Sequence, residues 1–124
     1  KLVSRNPLGA KKLVPSSVPE TDKKAFARAD IQEVDRQDLG EAYRNGAQGA
    51  FWEVVLLATS WGFRLDDIHK KIFLWHGEED TTVPQQMGRY VARTLSNCES
   101  TFYPGEGHTL IYNYWREILA EAVA

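Results

Sequence analysis

The last third of the chain alternates between strand-like and amphipathic segments, and this order constrains the fold more than any other feature. KIFLW (71–75) is continuously apolar, and CESTFYP (98–104) is a second short segment of strand type. A continuous apolar run is typical of a strand covered on both faces, as in a parallel sheet. Because parallel strands are joined through a crossover, usually a helix, the sequence predicts an α/β fold with a strand–helix–strand–helix unit.

Helical spacing follows each predicted strand. Pro84 can occupy the first turn of a helix after the first strand. The apolar positions behind it predict one buried face, formed by Met87, Tyr90, Val91 and Leu95. A closing helix is predicted from about residue 110 to residue 123. Its inner side is predicted to carry Ile111, Tyr114, Trp115, Ile118 and Leu119.

Upstream of this unit the chain is predicted to be irregular and then helical. Residues 1–21 are rich in Pro, Ser, Gly and Lys, and we interpret them as a linker or irregular lead-in. Residues 22–68 are predicted to be largely helical, with Thr21 or Asp22 as the first cap. Within them AFWEVVLLA (50–58) is strongly apolar, which predicts a buried helix.

Composition limits the classes of function. The chain has 124 residues, which suits one domain, and its net charge of −2 provides no positive field for nucleic acid or anionic lipid. No apolar stretch approaches the roughly 18 residues of a membrane span. The N-terminal residues lack the apolar core of a signal peptide. Cys98 is the single cysteine, so no internal disulfide can form, and we expect a cytoplasmic protein.

An acid and an imidazole follow the two predicted strands. Asp80 lies in the loop after the first strand and His108 in the loop after the second, 28 positions later. Ligands of open parallel sheets bind beyond the carboxyl ends of the strands, and a right-handed crossover brings both loops to that edge. An aspartate that accepts the Nδ1–H of a histidine fixes its tautomer and stabilises the imidazolium. We interpret Glu78 and Glu79 as solvated neighbours of this acid.

FLWHGEEDTTVP and FYPGEGHTL together resemble the last two strand–loop units of the α/β-hydrolase superfamily. The resemblance implies that Asp80 is the acid and His108 the base of a Ser-His-Asp triad. It also implies that residues 22–68 form a helical cap or lid and that residues 69–124 are the C-terminal part of the hydrolase core. The implied substrate is a small ester or related acyl compound, and no cofactor is implied.

The family's G-x-S-x-G nucleophile motif is absent from this sequence. We therefore expect the chain to supply only the acid and the base, and to be inactive as an isolated chain. Two parallel strands leave an unpaired edge and incompletely covered apolar faces. The expected partner is the missing N-terminal half of the fold or a second copy of the chain, so we predict homo-oligomerisation.

Other interpretations stay open at this point. A metal cluster is conceivable from the ligand-type side chains of the two loops, namely His76, Glu78, Glu79, Asp80 and His108. HGEED lacks the helical i, i+4 histidine spacing, so we predict no metal site. Trp52 and Trp61 are candidates for an apolar substrate pocket under the lid, with plain core packing as the alternative. A non-catalytic half-domain, either a remnant or a small-ligand-binding module that oligomerises, is the second hypothesis.

Overall fold

The computed structural model describes residues 17–123 as a helical segment followed by a small α/β unit. In chain order the elements are α1 (Glu20–Ala27), α2 (Ala29–Ala42), α3 (Gln48–Ala58), a 3-10 turn (Leu65–Asp67), β1 (Ile72–Gly77), α4 (Gln85–Thr94), β2 (Cys98–Tyr103) and α5 (Ile111–Ala122). Strands β1 and β2 pair in parallel. The predicted strand–helix–strand–helix order is therefore confirmed, and the fold is mixed α/β with a two-stranded parallel sheet.

The predicted lead-in lies mostly outside the described residues, which begin at residue 17. Helix α1 begins at Glu20, two residues earlier than predicted, directly after Pro19. The fixed φ of proline and its missing N–H suit the start of a helix. Arg28 then takes an extended backbone that separates α1 from α2, and its guanidinium pairs with Asp30 at 2.6 Å. None of the helices within residues 17–123 combines the length and apolar character that crossing a membrane requires.

The register of the sheet brings the loops after β1 and β2 to one edge. Gly77 at the end of β1 lies opposite Tyr103 at the end of β2. Backbone hydrogen bonds then join the loops directly: the N–H of Glu78 donates to the carbonyl of Tyr103 at 3.0 Å, and the N–H of Glu79 donates to that of Glu106 at 2.9 Å. The two loops are therefore held together by main chain before any side chain contributes.

Two glycines allow this close approach. At Gly77 a Cβ atom would overlap the backbone carbonyls of Glu106 and Gly107, so a larger residue cannot fit without moving main chain. Gly105 has a φ of 78°, in the left-handed region that side chains disfavour. The sharp turn after β2 and its contact with β1 thus depend on residues that lack a side chain.

The apolar core of the described residues is small, and this contradicts two predictions. Among residues 17–123 the buried apolar residues are Ala25, Ile31, Leu95 and Leu110. Helix α3 contains no buried residue, and its Leu57 is 76% exposed, so the prediction of a buried helix at 50–58 is wrong. Strand β1 is half-buried along most of its length rather than covered on both faces. A sheet of two strands offers too little area to bury every apolar face of the helices around it.

The helices that flank the strands are only partly buried as predicted. On α4, Leu95 just beyond its end is buried, whereas Met87 and Tyr90 are each 58% exposed. On the predicted inner side of α5, Tyr114 and Ile118 are half-buried. The other three residues of that side are about half exposed, namely Ile111, Trp115 and Leu119. The two predicted helices are confirmed, but their apolar faces are less buried than predicted.

Candidate functional site

Asp80 and His108 meet beyond the carboxyl ends of β1 and β2. The Nδ1 atom of His108 lies 2.9 Å from Oδ2 of Asp80. A carboxylate can only accept, so Nδ1 carries the proton and Nε2 presents its lone pair. Within residues 17–123, His108 forms hydrogen bonds through its backbone N–H and through Nδ1, and Nε2 has no hydrogen-bond partner. The side chain of His108 is 48% exposed. The imidazole is thus arranged to take a proton at Nε2.

The loop after β1 fixes the orientation of Asp80. Its backbone N–H donates to the carbonyl of Gly77 at 3.2 Å, which turns the chain directly after the strand. Its Oδ1 accepts the N–H groups of Thr82 and Val83, both at 2.8 Å. This is the turn that aspartate favours, with the side chain bonded to backbone two and three residues ahead. It occupies Oδ1 and leaves Oδ2 for His108.

The surroundings of Asp80 favour its charged form. Burial of the carboxyl raises its pKa, but the hydrogen bonds from the N–H of Val83, from His108 and from the N–H of Thr82 outweigh this, and the pKa of Asp80 lies below its usual range. Partners that bond only the charged form stabilise that form. An ionised Asp80 in turn stabilises the imidazolium that forms when His108 takes a proton.

His76, the first residue of the HGEED segment, packs within the sheet. Its Nε2 lies 2.9 Å from the carbonyl of Val83, and its ring lies 5.8 Å from that of Phe102. On the other side its ring faces Gly88, where a Cβ atom would overlap it. These contacts support a structural role for His76. Within the described residues no group of three or more His, Cys, Asp or Glu side chains is arranged to hold a metal ion.

The two glutamates before Asp80 differ from each other. Glu79 is exposed, in agreement with the prediction that it is solvated. Glu78 is not simply solvated, because its Oε1 pairs with Nη2 of Arg89 at 2.7 Å. The guanidinium of Arg89 also lies 4.2 Å from the ring centre of Phe102. Glu78 therefore helps to tie α4 to the sheet, and the prediction for this residue is wrong.

A cleft of about 310 Å³ opens beside the dyad. It is lined by Trp75, His76, Asp80, Val83, His108, Leu110, Ile111 and Ile118. Walls that are mostly apolar with a few polar groups are typical of sites for small molecules. The described residues that line this cleft include no hydroxyl and no thiol, so they supply an acid and a base without a serine, threonine or cysteine.

The two candidate tryptophans lie elsewhere. An open groove of about 570 Å³ at the end of α3 is lined by Glu53, Leu56, Leu57, Ser60, Trp61 and Phe63. Trp61 is therefore part of an apolar groove, whereas Trp52 packs edge-on against Phe51 at 5.7 Å. Neither tryptophan lines the cleft beside Asp80 and His108. A role for them in substrate binding stays a prediction.

Sequence reasoning missed the part that the first turn of α1 takes in this site. Thr21 or Asp22 was expected to cap α1, but neither side chain does so. The hydroxyl of Thr21 donates to the carbonyl of Gly105 at 3.1 Å. Asp22, only 2% exposed, accepts the N–H of His108 at 3.0 Å and two hydrogen bonds from Thr109. These partners lie 84 to 87 positions apart, so no local pattern could have indicated the contact.

Comparison of the chain with protein-family models, with characterised proteins and with solved structures found no significant match.

Proposed function

We propose that Asp80 and His108 are the acid and base of a Ser-His-Asp triad, and that this chain is the C-terminal part of an α/β-hydrolase. Its substrate is a small ester or a related acyl compound. Residues 22–68 form the lid segment in this proposal, and residues 69–124 form the last part of the hydrolase core.

One observation carries the proposal: His108, which lines the cleft, has its Nδ1 2.9 Å from Oδ2 of Asp80, and this contact leaves Nε2 open. The contact lies beyond the carboxyl ends of two parallel strands, where ligands of such sheets bind. The lowered pKa of Asp80 is consistent with an acid that stays charged while its histidine partner exchanges protons.

In the proposed mechanism Nε2 of His108 removes the proton of a serine hydroxyl as the serine oxygen attacks the ester carbonyl. Asp80 stabilises the resulting imidazolium. His108 then transfers that proton to the leaving alcohol, and the acyl group remains on the serine. Water attacks the acyl-enzyme by the same route, with Nε2 taking its proton and returning it to the serine.

The serine comes from outside the residues described. The cleft lining supports this part of the proposal, since the described residues that line the cleft carry no hydroxyl or thiol. The exposed apolar surface of α3 also supports it, because the N-terminal part of a hydrolase core would bring further strands and helices to cover such faces. The nucleophile and its base act as one unit, so we expect no turnover from these 124 residues alone.

The test uses the full-length product of the gene that encodes this sequence, with p-nitrophenyl acetate as substrate and a fluorophosphonate probe for the serine. We expect hydrolysis and labelling in the wild-type protein. His108→Ala should lower kcat by a factor on the order of 10⁴ or more and abolish labelling. His69→Ala is the matched control, because it also removes an imidazole. His69 lies before β1, at the end of the strands opposite the dyad, and its ring contacts Ser96.

Equal activity of the wild-type and His108→Ala proteins would contradict the proposal. So would hydrolysis by the 124-residue chain alone that His108→Ala abolishes, since the base would then be working without the proposed external serine.

The second candidate is a non-catalytic half-domain that self-associates or binds a small ligand. The exposed apolar residues of α3 and the groove beside Trp61 favour it. The same experiment separates the two, because this candidate expects neither labelling by the fluorophosphonate nor any effect of His108→Ala.

A further inference from the structure

We propose that Asp22 is a positioning residue for His108: from the first turn of α1 it holds the loop that carries the histidine in the orientation that lets the imidazole reach Asp80. This rests on the proposed function for its catalytic meaning. The structural link itself, between the lid segment and the histidine loop, does not depend on any reaction.

The carboxylate of Asp22 is fully engaged by that loop. Oδ2 accepts the N–H of His108 at 3.0 Å, and Oδ1 accepts the N–H of Thr109 at 2.9 Å and its hydroxyl at 2.6 Å. Asp22 and Thr109 are 2% and 4% exposed, so water cannot replace these bonds without a rearrangement. Two consecutive backbone N–H groups therefore point at one carboxylate, which fixes the peptide on which the His108 side chain is mounted.

Gly107 makes this contact possible. A Cβ atom at this position would overlap the carboxylate of Asp22, so the loop can approach α1 this closely only with glycine there. The hydroxyl of Thr21 adds a second link from the same turn to the carbonyl of Gly105. The first turn of α1 thus touches the histidine loop on both sides of Gly107.

Two acidic residues therefore act on His108 in different ways. Asp80 bonds the imidazole, and Asp22 bonds the backbone beneath it. Loss of the first removes the partner of Nδ1. Loss of the second leaves buried N–H groups without an acceptor, which favours movement of the loop and of the imidazole with it. A displacement of about 1 Å in a catalytic group can lower a rate by a factor of about 100.

The variant that tests this is Asp22→Asn, which keeps the shape of the side chain but turns a donor toward one of the N–H groups. The matched control is Asp38→Asn, the same change on the exposed face of α2. The chain has three histidines, so the imidazole of His108 can be assigned by NMR of the protein labelled with 15N-histidine.

In Asp22→Asn we expect the Nδ1–H signal of His108 to broaden or vanish, and the amides of His108 and Thr109 to exchange with solvent about tenfold faster or more. In the full-length protein we expect kcat to fall about 10- to 100-fold with KM little changed. Asp38→Asn should leave all three readouts at wild-type values. Unchanged imidazole and amide signals in a folded Asp22→Asn variant would overturn the proposal.

A second variant keeps the test decisive if Asp22→Asn does not fold, as judged by circular dichroism. Asp22→Ser replaces the carboxylate by a shorter hydroxyl that cannot accept from the N–H groups of both His108 and Thr109. Faster exchange of these two amides is the expected result, with Asp38→Ser at wild-type values. Wild-type exchange in a folded Asp22→Ser variant would overturn the proposal.

The two proposals can fail separately. If the full-length protein shows no hydrolysis but Asp22→Asn still disturbs the NMR signals of His108, the catalytic function fails and the positioning role of Asp22 stands. If hydrolysis depends on His108 but Asp22→Asn changes neither the signals nor kcat, the positioning role fails and the catalytic proposal stands.

Discussion

The carboxyl edge of the sheet, where the loops after β1 and β2 meet, and helix α3 both depart from the usual distribution of residues. Polar side chains are buried at this edge, and apolar side chains are exposed on α3. At the edge, the most buried polar side chains are Asp22, Thr109 and Asp80, between 2% and 9% exposed. Within the described residues no buried polar side-chain atom lacks a hydrogen-bond partner. On α3, by contrast, Leu56 and Leu57 are 63% and 76% exposed.

The difference follows from what each kind of contact requires. A buried carboxylate needs a few donors at the right distance, and the loops after β1 and β2 supply them from nearby backbone. Burial of apolar residues is non-directional and grows with the area available to cover them, which two strands do not provide. The edge is therefore complete within the described residues, whereas α3 has an apolar surface that lacks cover.

The strongest test of this comparison substitutes one glycine in each region. Gly77→Ala at the edge should lower the free energy of unfolding by about 3 kcal/mol, because the new methyl group meets backbone carbonyls that cannot turn away. Gly49→Ala in α3 meets nothing within 4 Å and should raise it by about 0.5 kcal/mol through helix propensity. Urea unfolding of both variants measures the two values. A similar small change for both would show that the edge is not tightly packed.

Acid should weaken the edge specifically. Since the pKa of Asp80 is lower in the folded protein than its ordinary value of about 3.9, its carboxylate contributes stability above that pH. The contribution is lost as the pH falls through the lowered folded value, because protonation removes an acceptor from the N–H groups of Thr82 and Val83. Unfolding free energies measured across this range should fall with acid in the wild type and less steeply in Asp80→Asn. Glu79→Gln, at an exposed neighbour, should keep the wild-type slope.

A smaller effect is expected from the ion pair of Glu78 and Arg89. Both side chains are about one-third or more exposed, at 31% and 42%, so solvent weakens their attraction. Glu78→Gln should therefore cost no more than about 1 kcal/mol, and less at high salt. Thermal unfolding at low and high salt provides the measurement. A loss well above that value, independent of salt, would mean that the pair is part of the rigid edge rather than a surface contact.

The smallest effect on stability, and a clear effect on association, is expected from Leu57→Lys in α3. Because Leu57 is 76% exposed, its replacement should change the free energy of unfolding by less than about 0.5 kcal/mol. We expect the 124-residue chain to self-associate through its uncovered apolar faces, and the lysine should weaken this association. Light scattering across a concentration series measures it. A wild-type chain that stays monomeric at high concentration would contradict the prediction.

Much of the α/β unit could be predicted because its signals are local. The apolar run at 71–75 and the helical spacing after Pro84 depend on neighbouring residues, and the structure confirms β1, α4, β2 and α5. The meeting of Asp80 and His108 could also be predicted, since parallel strands joined through a helix bring the loops after them to one edge. The strongly apolar character of residues 50–58 predicted helix α3 as well, but a local pattern cannot reveal how much surface is available to cover a helix.

The sequence by itself determined the element order, the parallel pairing and the acid and histidine at one edge, because these follow from periodicity, chain connectivity and residue type. Only the tertiary structure decided that Asp22 bonds the histidine loop from 86 positions away and that Gly77 is required by the carbonyls of the neighbouring loop. It also decided that α3 is exposed. The physical reason is the same in each case: distance between atoms and area of contact are properties of the folded chain, and residues far apart in sequence carry no local sign of them.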